Sequence, residues 1–230
     1  MTTFEPNRRD LLVAGTAFAA LAGVADGAMA QAPAAPAFSP QPLPFDPKGL
    51  GWLSEKLIVS HHDNNYVGAV TRLGAIRAEI GKLDMAHAPG FVLNGLKREE
   101  LMAWNSMILH ELYFAGLGAT QALSPVLGKA IERDFGSVDR WAAEFAAMGK
   151  ALGGGSGWVL LTWSPHDGKL VNQWAADHTM TLAGGIPLLA LDMYEHAYAM
   201  DFGAKAGAYV DGFMKSMSWG QANRLFTRLG

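Results

Sequence analysis

No cysteine occurs anywhere in the 230 residues, so disulfide frameworks, thiolate metal sites and iron–sulfur clusters are excluded. Any bound metal must be held by His, Asp or Glu. A surplus of positive charge is missing too: 18 basic side chains stand against 21 acidic ones, which argues against nucleic acid or a polybasic membrane contact as partner. No internal repeat is present. The longest N-terminal apolar run, Leu11 to Ala25, is rich in Ala and Gly and falls short of the roughly 20 residues a transmembrane helix needs. The glycine run Gly153-Gly154-Gly155-Ser156-Gly157 lacks a following Gly-Lys-Ser/Thr and leads into a strand-like segment, so it reads as a hinge rather than a phosphate loop.

What is there begins with an address. Asn7-Arg8-Arg9-Asp10-Leu11-Leu12, a short apolar core and Ala28-Met29-Ala30 form an export signal of the twin-arginine type over residues 1–30. Cleavage after Ala30 delivers a protein to the periplasm with no stable membrane anchor. Without that segment the balance is 16 basic to 18 acidic residues. Residues 31–48, rich in Pro and Ala, are expected to be an extended tether rather than a packed element. The remainder is long enough for a core of its own.

Chemistry concentrates in Leu191-Asp192-Met193-Tyr194-Glu195-His196-Ala197-Tyr198. The preceding apolar run, Ile186 to Leu191, reads as a short buried strand, which places Asp192 at a strand end with His196 four residues on. A carboxylate and an imidazole at that spacing can turn to one point, and oxygen plus nitrogen donors suit iron, manganese or zinc. Taken alone, the pair could equally be a solvated Asp and His at the end of a strand.

The string resembles the metal-binding signature of the iron/manganese superoxide dismutases, Asp-x-Trp-Glu-His-Ala-Tyr, and the resemblance extends over nearly all of residues 50–227. Leu53 to Ile80 reads as one amphipathic helix with Ser54 as N-cap, and it matches the family's first-helix pattern without gaps. His61 falls on the first ligand. A linker is expected over Lys82 to Gly95, then a second helix from about Lys97 to Leu117 in which His110 precedes an aromatic residue pair, as the family's second ligand does. Helices over Ser124–Arg133 and Ser137–Ala151 are expected next. Strands follow over Gly157–Trp163 and Lys169–Trp174, joined by a turn at Pro165–Gly168.

The resemblance implies an α+β fold: an N-terminal helical hairpin domain (49–121) packed on a C-terminal α/β metal-binding domain (122–230) with a three-stranded antiparallel sheet. It implies one iron or manganese ion per subunit, iron favoured, held by His61, His110, Asp192 and His196 with a solvent molecule as fifth ligand. The implied reaction is dismutation of superoxide to O2 and H2O2. His178 is the candidate donor to that solvent, with the small Ser106 leaving room for it; a plain loop histidine is the other reading. Glu195 and Tyr198 are expected to bridge subunits in a homodimer or homotetramer.

Departures from the family pattern cluster around the cage. Asn65 stands at the second histidine, Ala69 at the gateway tyrosine, Tyr194 at the tryptophan after the Asp, and Ala206 at an arginine. Tyr66 is the candidate to fill the gateway, and Lys205 the candidate cation for guiding an anion. A metal-binding or interaction protein of the cell envelope on the same fold, with little or no turnover, is the alternative.

Overall fold

The structure, a computed structural model, describes residues 38–229; the export signal expected over residues 1–30 and residues 31–37 lie outside the described residues. The chain runs through α1 (Glu55–Ser60), a π-helical turn (His61–Tyr66), α2 (Val67–Gly81), α3 (Gly90–Ala115), α4 (Pro125–Phe135) and α5 (Val138–Ala151). Strands β1 (Trp158–Ser164), β2 (Lys169–Ala175) and β3 (Ile186–Asp192) follow, then α6 (Ala199–Phe202), α7 (Ala206–Ser216) and α8 (Gly220–Thr227). The mixture of a helical N-terminal region and a three-stranded antiparallel sheet is the one expected.

Ser54 starts the first helix as its N-cap, its Oγ accepting from Leu57 N. Ser54 also donates from N and Oγ to the Asp201 carboxylate, at 2.6 and 2.7 Å, tying this helix start to α6. The helix is continuous from Glu55 to Gly81, but its middle is not regular. Val67 N reaches His62 O, five residues back, which widens that turn by one residue. Leu57, Ile58, His61, Tyr66, Ala69, Val70, Leu73 and Ile76 are buried along it.

Two boundaries differ from the sequence reading. Helix α3 begins at Gly90, seven residues before the expected start, directly after Pro89, whose carbonyl accepts from Val92 N and Leu93 N. Its first turns are mostly exposed: Phe91 keeps 81 % of its surface and only Leu93 and Leu96 turn partly inward, so the apolar residues there do not form the clean stripe that periodicity detects. The described part of the tether is also not free. Phe38, Leu43 and Phe45 pack on the core, and Arg77 sits over Trp104 at 4.4 Å and Phe38 at 5.1 Å. Apolar side chains interleaved among the prolines give an extended segment something to bury, which a count of Pro and Ala does not register.

Strand β1 lies between β2 and β3, antiparallel to both. Its run Trp158–Leu161 is buried completely, as a central strand covered on both faces must be. Pro187 is tolerated because β3 is an edge strand, and a register shift opposite Leu161/Thr162 accompanies it. The ladder pairs Trp158 with Ala175 on one side and Asp192 on the other. One end of the sheet therefore collects Trp158, Asp192 and the loop that follows β2.

Gly157 secures that end. Its φ is +134°, and a Cβ there would lie 2.2 Å from Ala175 O, a backbone atom with no freedom to retreat. Gly157→Ala is expected to cost about 3 kcal/mol or more through combined backbone strain and clash. Denaturant unfolding against parent, with Gly154→Ala as an uncrowded comparison, measures this directly.

Candidate metal centre

Four side chains from three parts of the chain meet at one point. His61 comes from the π-helical turn, His110 from α3, Asp192 from the end of β3 and His196 from the short turn after it. Asp192 Oδ2 lies 3.2 Å from His61 Nε2, 3.4 Å from His196 Nε2 and 3.6 Å from His110 Nε2. The four ligand atoms lie within 4.8 Å of one another. Asp192 is fully buried and His61 and His110 are 1 % exposed, while the His196 side chain keeps 28 % of its surface.

The converging atoms have no other partner. Asp192 Oδ2 and the Nε2 atoms of His61, His110 and His196 are buried without any hydrogen bond among the described residues. Native proteins seldom leave several such atoms orphaned together, since each costs free energy. A cation centred among them satisfies all four, and the donor set of three imidazoles and one carboxylate suits iron or manganese. The residues therefore fit the implied ion.

Supporting contacts orient the donors. The His110 Nδ1–H donates to Ser106 O at 2.6 Å, which leaves the Nε2 lone pair facing inward. Asp192 Oδ1 accepts from Tyr194 N at 2.9 Å, and Asp192 O accepts from Tyr209 Oη at 2.8 Å. Burial, reinforced by the neighbouring His61, pushes the His110 pKa down to about 3, so the imidazole is neutral and available as a ligand. His61 is lowered as well, chiefly by burial. For Asp192, burial acts to raise the pKa, but the facing imidazoles of His196 and His61 outweigh it and hold the carboxyl well below its usual range.

His178 lies against this cage. Its ring centre is 6.0 Å from that of His110, and it stacks on Tyr194 at 4.9 Å, which in turn stacks on His196 at 5.2 Å. Trp158 Nε1–H donates to His178 Nδ1 at 2.9 Å. A neutral His178 therefore carries its proton on Nε2, and burial, the main cause, lowers its pKa and favours that neutral form. The backbone is pinned too, because Asn105 Nδ2 donates to His178 O at 2.6 Å.

A cavity of about 340 Å³ opens beside the cage, lined by Asn64, Asn65, Gly68, Ala69, Arg72, Met102, Ala103, Ser106 and His178. Ser106 and His178 thus face it together, and Asn65 and the small Ala69 form its wall. Tyr66 does not fill the gap. Its hydroxyl accepts from Gln41 N at 2.8 Å and donates to Glu111 at 3.0 Å, with the ring packed on His62 and Phe114. The extra residue in the π-helical turn breaks the straight-helix spacing on which the gateway expectation rested. Lys205 is likewise not among the residues lining the cavity; Arg72 is.

Glu195 is exposed next to the half-exposed His196, and Tyr198 is buried and stacks on Tyr209 at 5.2 Å. His87 and His166 are exposed loop residues held by Asp84 and Asp167. Sequence reasoning did not single out Trp158, Tyr209 or Arg72. Trp158 was legible only as a strand residue, because its partner lies 20 positions away across the ladder.

The profile of the iron/manganese superoxide dismutases, C-terminal domain, matches residues 123–225. A protein of Cupriavidus metallidurans named superoxide dismutase (Fe) is 67 % identical over 186 residues, covering 81 % of this chain and 94 % of the relative. This chain belongs to the iron/manganese superoxide dismutase family. More distant relatives carry both metals in their names. Superoxide dismutase (Fe) of Aquifex pyrophilus is 33 % identical over 79 % of this chain and 88 % of its own length. Superoxide dismutase (Mn) 1 of Halobacterium salinarum is 32 % identical over 80 % of this chain and 92 % of its own. The dismutase profile falls on the segment that holds the sheet, Asp192, His196 and His178.

Proposed function

We propose that this chain is an exported, iron-dependent superoxide dismutase of the cell envelope, working as a homodimer with one ion per subunit. Superoxide dismutation and a requirement for iron or manganese follow from family membership. The choice of iron is favoured by the name of the 67 % identical relative. The observation that carries the site is the set of four buried donor atoms with no partner but each other. When bound, the ion would supply the one-electron couple that dismutation of superoxide requires.

The chain's own residues do the rest. His61, His110, Asp192 and His196 would hold the ion, and the bonds of His110 to Ser106 O and of Asp192 to Tyr194 N and Tyr209 keep those two donors aimed without rearrangement. His178 presents Nε2–H toward solvent at the cage, with Trp158 fixing that tautomer and Tyr194 fixing the ring plane. Ala69 and Gly68 leave the cavity wide, so the protons that convert reduced superoxide to H2O2 come through water in the cavity rather than from a gateway tyrosine. A volume of about 340 Å³ is ample for a group of waters.

Glu195, exposed and without an ion-pair partner among the described residues, stands beside the open edge of His196. This supports a second subunit whose Glu195 reaches that imidazole. Export rests on the Arg8-Arg9 segment. No helix among the described residues is long and apolar enough to cross a membrane.

Protein purified natively from a periplasmic extract, metal-analysed, assayed for superoxide loss and weighed in solution tests all parts. The expected result is about one iron per chain, rapid superoxide loss and a dimer mass that Glu195→Ala reduces. A full metal complement without superoxide loss would instead favour a metal-binding protein on the dismutase fold, the reading that the open mouth at Ala69 supports. A strict monomer at micromolar concentration would remove the bridge.

A further inference from the structure

Superoxide carries a negative charge, and residues 31–230 are themselves net negative, with 16 basic to 18 acidic side chains, so the overall field opposes its approach. Local charge at the entrance must then decide the encounter rate. The cavity beside the cage is lined by small, apolar and neutral polar side chains and a single guanidinium, that of Arg72. Arg72 sits on α2, and its side chain is 61 % exposed where it lines the opening. It is engaged by Glu99 of α3, which is not among the lining residues. The neighbouring Glu100 is already held by Lys97 and Arg77, so it does not compete for Arg72.

We propose that Arg72 is the anion-guiding residue of this enzyme and that its ion pair with Glu99 sets how strongly it attracts substrate. Resting on the dismutase reading, this places the guiding cation on the first helix pair rather than at Lys205. Paired, the two side chains present a dipole whose positive end faces the cavity. When the pair opens, the guanidinium presents an unopposed charge at the entrance of the cavity that Asn65, Ser106 and His178 also line. Exposed pairs of this kind are worth little in stability, so the cost of opening is small.

The test uses the metal-loaded full-length mature protein, with Arg72→Gln, Arg72→Lys and Glu99→Gln. Two quantities are read: kcat/KM for superoxide as a function of ionic strength, and azide affinity of the oxidised protein by optical titration. For one partly neutralised surface charge, Arg72→Gln should lower kcat/KM about threefold at 10 mM salt and flatten its salt dependence. Azide binding should weaken by a similar factor, and Arg72→Lys should recover most of both. Glu99→Gln should act in the opposite direction, raising kcat/KM and tightening azide about twofold. All variants should converge near 1 M salt.

Arg72→Gln with parental salt slope and azide affinity overturns the proposal. So does a loss that persists at 1 M salt and is not recovered by Lys, since that marks a packing role. Glu99→Gln decides the question independently if Arg72→Gln folds poorly, because a parental salt slope and azide affinity in that variant contradict the pair's role. Absence of turnover in the parent would defeat the dismutase reading, while azide affinity would still report on Arg72.

Discussion

His110→Ala and Asp192→Asn are expected to leave native purification with little or no metal, where the parent carries about one equivalent. Each change removes one of four protein donors, and the three that remain cannot compensate, since they are fixed by their own elements. His110 is held by its bond to Ser106 O, Asp192 by Tyr194 N and Tyr209, and neither can be replaced by a neighbour sliding in. Loss of turnover should follow metal loss, by a factor of about 100 or more, since even outer-sphere changes at such sites cost 10- to 100-fold. Retention of a full equivalent by both variants would refute the cage.

The same site should contribute to stability in both states. With metal bound, the parent gains RT ln(1 + [L]/Kd), about 4 kcal/mol at free metal a thousandfold above Kd, and chelation should remove that gain. Without metal, the imidazoles of His196 and His61 still hold the Asp192 carboxyl well below its usual range, so its ionised form favours the fold at neutral pH. Asp192→Asn keeps an oxygen for Tyr194 N but gives up that contribution, so metal-free Asp192→Asn should be less stable than metal-free parent. Thermal melts of the two chelated proteins decide it. A higher melting temperature for the variant would mean that burying the charge costs more than the imidazoles return.

His178→Ala should keep its metal and change its electronics. The argument is geometric. Trp158 Nε1–H occupies Nδ1, so the remaining proton is on Nε2, and His178 lines the cavity beside the cage together with Ser106. A hydrogen bond of this kind to a charged or ion-bound group is worth about 1.5–3 kcal/mol. For a one-electron couple, with a tenfold change at about 59 mV, its loss shifts the reduction potential by on the order of 60–130 mV. Potential, visible spectrum and turnover should move together. Trp158→Phe retains the buried ring but frees Nδ1, so it should shift the same three readouts by a smaller amount. His87→Ala, on an exposed loop, should shift none. A parental potential and spectrum in His178→Ala would reduce that residue to a loop histidine.

Much of this was legible in the residues themselves. The absence of cysteine confined any metal site to His, Asp and Glu, and the Asp192/His196 pair stood at the end of an apolar run that is indeed a strand. An apolar stripe put His61 on the inner face of its helix, because an apolar face at 3.6-residue spacing is a local property of the chain, while His110 was placed by the resemblance of its surroundings to the family's second helix. Strand limits in the sheet came within a residue or so for the same reason: turns and glycine runs act on their immediate neighbours. The start of α3 was hidden because Phe91 and Val92 lie exposed among its first turns and blur the apolar face that Leu93 and Leu96 begin.

What the tertiary structure alone decided is everything that depends on distance across the fold. The π-helical turn at His61–Tyr66 sent Tyr66 to Glu111 and Gln41 and left Ala69 and Asn65 at the mouth. The antiparallel ladder set Trp158 beside Asp192 and turned an unremarked tryptophan into the group that fixes the His178 tautomer. Packing of α2 on α3 brought Arg72 to the cavity and Glu99 to Arg72, 27 residues apart in the chain. Local patterning selects elements and their inner faces. Which side chains share a partner is set by register and helix phase, and one added residue in a turn is enough to change it.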